Sequence, residues 1–154
     1  MKYGYHLFIA VILLSLISCK STVVIPYERT GEVVTLSHER SLINVQSSTR
    51  AASYGIAVEY AERQAFENIL FKGIPNSNQE VPLLASENKA WSENAATMQE
   101  LIIDRGYLHY ITSSNTADHV KNGGVSFIKQ NIAIDLAALR KYLESEKAVK
   151  KFGL

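Results

Sequence analysis

Residues 42–71 read LINVQSSTRAASYGIAVEYAERQAFENILF, and the fold class turns on a change of period inside this stretch. Its first part alternates, with Ile43, Val45, Ser47 and Thr49 set against Asn44, Gln46, Ser48 and Arg50. Successive side chains of a strand point to opposite faces, so this is a strand with one wetter face. From Ser53 the apolar step becomes three and four: Tyr54, Val58, Ala61, Ala65 and Ile69 recur, with Ala57, Phe66 and Leu70 beside them. That spacing predicts an amphipathic helix over 53–71, with Ser53 as its N-cap. Its alanines would let it lie close on a sheet. Glu59, Glu62, Arg63 and Glu67 are expected largely on the outer side, with Glu59–Arg63 a supportive i,i+4 pair. Gly73 is the expected C-cap, and Pro75 keeps the helix from resuming.

Working outward, Val33, Val34, Thr35 and Leu36 predict an earlier strand, joined to the one at 42–50 through a turn or bulge at His38-Glu39-Arg40-Ser41. Residues 75–85 form a loop whose Val81-Pro82-Leu83-Leu84 should pack back on the domain. A second helix is expected from Glu87 to Asp104, buried through Trp91, Ala95, Met98, Leu101 and Ile102 and ended by Gly106. Tyr107–Ser113 reads as a strand, Ser114–Gly124 as a polar turn region, and Val125–Ile134 as a strand with Val125, Phe127, Ile132 and Ile134 inward. Asp135 should cap a last helix that buries Leu136, Leu139 and Leu143, with Val149 and Phe152 tucking the tail inward. The order β-β-α-α-β-β-α predicts an α+β fold: an antiparallel sheet of about four strands with helices packed on one face. Residues 31–154 make a single domain. Residues 19–30 read as a tether, punctuated by Pro26, in which Val23-Val24-Ile25 could dock as an edge strand.

The first residues carry a different signal. Lys2 precedes an apolar run, Leu7 to Ile17, that is too short for a bilayer-spanning helix of ~20 residues but suits the core of a signal peptide. Leu16-Ile17-Ser18-Cys19 ends it. That pattern resembles the lipobox of bacterial lipoproteins, an apolar residue, a tolerated one, a small one and a cysteine. The resemblance implies cleavage after Ser18 and lipidation of Cys19, whose thiolate takes the diacylglyceryl group. Several acyl chains give stable anchoring where one is marginal. Lys20 is not the aspartate that holds some lipoproteins at the inner membrane, and no acidic run follows to mark surface export. The expected place is the outer membrane, facing the periplasm.

The formal charge is +1, and removal of Lys2 with the signal segment leaves the remainder neutral. A neutral protein has no long-range field to gather nucleic acid, so none is expected as a partner. With one cysteine there is no internal disulfide, and the core alone must hold the fold. His38, His109 and His119 lack i,i+2 or i,i+4 spacing, so no metal clip is predicted. No G-x-S-x-G elbow or phosphate-binding glycine motif occurs. Ser37-His38-Glu39 holds triad residue types, but neighbours on a strand face opposite ways. The sequence therefore predicts no enzyme, no cofactor and no metal.

Two resemblances extend beyond the lipobox. Arg50-Ala51-Ala52-Ser53-Tyr54-Gly55, Asn68 to Pro75, Pro82-Leu83 and the tail Ala138 to Glu144 with Lys151-Phe152-Gly153 resemble small uncharacterised envelope lipoproteins of gut-type bacteria. The strand followed by an Ala-x-x-x-Ala helix is distantly similar to the small α+β modules of flagellar assembly protein T and related lipoproteins. Both imply structural or assembly roles and define no further site residues. The expectation is a membrane-anchored, non-enzymatic accessory or assembly subunit of the cell envelope, held by Cys19 and meeting an envelope protein partner. The alternative is a small-ligand or peptide-binding lipoprotein, with Trp91, Tyr107 and Tyr110 facing the ligand beside the apolar loop Val81–Leu84.

Overall fold

A computed structural model describes residues 24–29 and 31–150; Cys19, the signal segment and Phe152 lie outside the described residues. The chain forms β1 (Val33–His38), β2 (Leu42–Ala51), α1 (Tyr54–Phe71), α2 (Glu87–Glu93), α3 (Ala95–Met98), β3 (Ile111–Asn122), β4 (Val125–Asp135) and α4 (Leu136–Ser145). One π turn (Gln99–Ile103) and one 3-10 turn (Gly106–Tyr110) lie between α3 and β3. The four strands make one sheet in the order β1-β2-β4-β3, with every neighbouring pair antiparallel. The fold is α+β, as the change of period predicts.

Ser53 caps α1, its side chain accepting from the Ile56 amide. Gly73 ends it in the left-handed region at φ 79, where a Cβ would lie 1.9 Å from the Glu80 carbonyl oxygen. Ala61, Ala65, Phe66, Ile69 and Leu70 of α1 are fully buried, as are Ile43 and Val45 of β2 and Ile134 of β4. The alanines bring the helix axis close to the two central strands. Asp135 caps α4, its Oδ1 accepting from the Ala138 amide at 2.9 Å, and Leu136, Leu139 and Leu143 are buried below it. The loop at 81–84 does pack back: the Leu83 and Leu84 amides donate to the carbonyls of Ile69 and Leu70.

Several expectations need correction. Tyr107 lies in the 3-10 turn, not a strand, and the strand runs instead through Ile111–Asn122, where a polar turn was expected. β3 is an edge strand, so its serines, threonines and asparagines need no apolar alternation. The connection to β4 is the short turn Asn122-Gly123-Gly124-Val125, not a long one. β4 pairs with β2 in unbroken register. Its inward residues are therefore Ser126, Ile128, Gln130, Ile132 and Ile134, while Phe127 points out and is 43% exposed. The second helix breaks at Asn94, which leaves the helical region at ψ 41, and Ala95 is exposed. Residues 24–29 form no strand.

The outer side of α1 also differs. Glu67 is only 3% exposed and Glu62 7%. Arg63 pairs with Glu67, and Glu59 pairs with Arg105 at 3.2 Å rather than with Arg63. The helix is covered on a second side by residues 24–29, the 3-10 turn and β3, so Glu62 and Glu67, expected in solvent, are buried with partners, while the Glu59 side chain stays partly exposed.

Candidate functional site

Among the described residues, the aromatic surface expected at Trp91, Tyr107 and Tyr110 does not form. Tyr107 is 1% exposed and packs against Phe66 with ring centroids 5.2 Å apart, so it is core. Tyr110 lies between Phe66 and Tyr142, and Trp91 packs on the same core from α2. Burying these rings contributes more to stability than a ligand-facing groove would allow. Within Val81–Leu84, Val81 alone is strongly exposed.

The histidines are separate. His119 approaches the Ser126 hydroxyl at 3.4 Å, and its ring lies tilted at 53° against Tyr54, with centroids 5.0 Å apart. Ser126 is buried, and among the described residues no carboxylate hydrogen-bonds to this ring. No group of three or more His, Cys, Asp or Glu side chains that could hold a metal ion occurs among the described residues. No helix of the described residues is long and apolar enough to cross a membrane.

Two features stand out instead. The first is a lock around Glu67. Tyr27 donates its hydroxyl to Glu67 Oε2 at 2.7 Å, Arg29 Nε lies 2.8 Å from the same oxygen, and Arg63 Nε lies 2.8 Å from Oε1. The Arg63 guanidinium also sits 4.5 Å above the centroid of the Tyr27 ring, whose edge meets Tyr60. Arg29 reaches on to Glu87 at the start of α2. A buried carboxylate requires such partners, and here two cations and a phenol satisfy it. Burial pushes the Tyr27 phenol well above its usual range, and the hydrogen bond to Glu67 and the Glu67 charge add to this. Residues 27–29 are thus fastened to α1.

The second feature is a groove of about 400 Å³ beside that segment. β1 meets β2 at Val33↔Ser47, but β2 continues to Ala51. Glu32 still accepts from the Ser48 amide at 2.9 Å. Further upstream the chain leaves β2 for α1, and the groove opens between that segment, the end of β2 and the β3–β4 hairpin. Pro26, Tyr60, Val120 and Phe127 supply apolar wall. Arg50 is paired with Glu28 at 3.0 Å, and Lys129 is the register partner of Asp118. At the back lies Gln64, 1% exposed, with neither amide atom hydrogen-bonded. Buried polar groups without partners are rare, and each costs ~1–3 kcal/mol.

Sequence reading missed this groove, although two signals were present. Gln64 interrupts the alanine stripe between Ala61 and Ala65, and Phe127 is inward only if β4 is read one residue out of step. A further groove, of about 730 Å³, lies between residues 83–94 and the end of α4. No buried unpartnered side chain lines it among the described residues.

No protein-family model, no curated protein and no solved structure matches this chain.

Proposed function

We propose that the protein is a lipid-anchored, non-enzymatic accessory or assembly subunit of the bacterial cell envelope, attached through Cys19 and working against an envelope protein partner. The observation that carries this reading is the Glu67 lock on the segment that follows the lipobox. Tyr27 and Arg29 are held by one buried carboxylate, so few residues lie between Cys19 and this lock. Six residues separate Cys19 from Pro26, and the seven residue steps between them span at most ~25 Å. The domain would then stand close to the lipid surface, and pull on the anchor would pass directly into α1. That suits a part which positions a partner more than one which diffuses to a substrate.

The test is in vivo crosslinking and pull-down of the intact protein, with Cys19→Ala as the unanchored control. A specific envelope partner that disappears with the anchor supports the reading. Recovery of the uncrosslinked protein alone, anchored or not, would count against it. The second reading, ligand or peptide binding, is favoured by the groove at Gln64 and not by the Trp91, Tyr107 and Tyr110 set.

A further inference from the structure

We propose that the groove beside Gln64 is a docking site for a short extended peptide, which pairs with the free edge of β2 at Arg50, just past the Ser48 amide that Glu32 already occupies, and gives a main-chain amide to the Gln64 carboxamide. The inference does not depend on lipidation of Cys19.

Three observations converge on it. β2 outruns β1, so its residues beyond Ser48 have no strand on that side among the described residues. Strand edges recruit extended peptides through main-chain hydrogen bonds. Gln64, at the back of the same groove, offers one acceptor and two donors with no partner. A peptide bond supplies one donor and one acceptor, which matches a carboxamide and would not suit a lone carboxylate or phosphate. The volume, about 400 Å³, suits two or three residues and lies in the range of small-ligand sites.

The walls refine the choice. Val120 and Phe127 are 54% and 43% exposed on neighbouring strands, in direct register. They form an apolar shelf for one aliphatic side chain. Charges of both signs ring the groove, including Glu32, Asp118, Arg50 and Lys129, so there is no net field for a highly charged ligand. Gly31 closes the site behind. A Cβ there would lie 2.3 Å from Gln64 Oε1 and 2.3 Å from the Ser48 carbonyl oxygen, so only a glycine lets the backbone pass this close.

The test is an NMR titration of the full isotope-labelled chain in mild detergent with acetyl-Ala-Leu-Ala-amide, up to about 10 mM. The expected result is saturable shifts of the Gln64 side-chain amide and of the Arg50 backbone amide. Gln64→Leu should weaken binding at least tenfold with thermal stability unchanged or raised, because it removes an unsatisfied group. Phe127→Ser, an exposed change that leaves the core alone, should also weaken it severalfold. No shifts at the highest concentration, shifts confined to another surface, or unaltered binding by both variants would overturn the proposal. So would equal affinity for leucinamide, which cannot pair along a strand.

Discussion

Single side chains decide most of what is unusual in this protein. Glu67 holds two arginines and a tyrosine, yet the arginine side chains are 38% and 26% exposed, so solvent screens part of the interaction. Glu67→Gln should therefore cost about 1–2 kcal/mol, below the range for a fully buried pair, as measured by urea unfolding. Gly73→Ala should cost at least ~1 kcal/mol by the same assay, since its φ is positive and the Glu80 carbonyl occupies the space a methyl needs. Tyr27 and Tyr107 predict a pH effect. Burial raises both phenols in the folded state, Tyr107 to about 12 and Tyr27 further with help from Glu67. The unfolded chain releases these protons near pH ~10 while the folded chain keeps them, so stability is full below ~10 and falls as pH rises above it. Tyr27→Phe should flatten that fall; an unchanged slope would show that the phenol does not report the lock. At this level the sequence was partly legible. Ser53 and Asp135 announced themselves as caps, whereas the burial of Glu62 and Glu67 depends on partners dozens of residues away.

Among the elements, α1 was legible because its apolar step is regular and its ends carry cap residues. β3 was not legible, because an edge strand with a solvent face shows no alternation. Its register is set instead by a polar chain across α1, β3 and β4. Ser114 donates to Glu62 at 2.7 Å and accepts from Gln130 at 2.8 Å, Thr116 donates to Gln130 at 2.6 Å, and Tyr54 meets Thr116 at 2.7 Å. Such networks specify one arrangement only when every member is satisfied. Ser114→Ala should cost ~1–3 kcal/mol, because it leaves Glu62 short of a donor. Hydrogen exchange should show the loss first in the β3 amides, ahead of those in β2. Equal loss across the sheet would mean that the chain of side chains does not hold β3 separately. The break at Asn94 was equally hidden, since Trp91, Met98 and Ile102 fit one continuous stripe on paper.

Taken whole, the molecule has helices on one face of the sheet, a groove at the open end of β2, and an N-terminal segment fastened between them. The fold class was readable because it follows from local period and element order. The groove was not, because it is made by a difference in strand length and by a chain leaving its neighbour, and neither leaves a local pattern. The proposed anchor at Cys19 is read from residues 16–19 and the apolar run before them, and owes nothing to the fold. It is also the point on which the proposed role rests. Intact-mass analysis of the protein extracted from bacterial membranes decides it. The account predicts a chain beginning at Cys19 and carrying diacylglyceryl and further acyl mass, with that species absent for Cys19→Ala. A chain that still carries residues 1–18, or a cleaved chain with an unmodified Cys19, would contradict it.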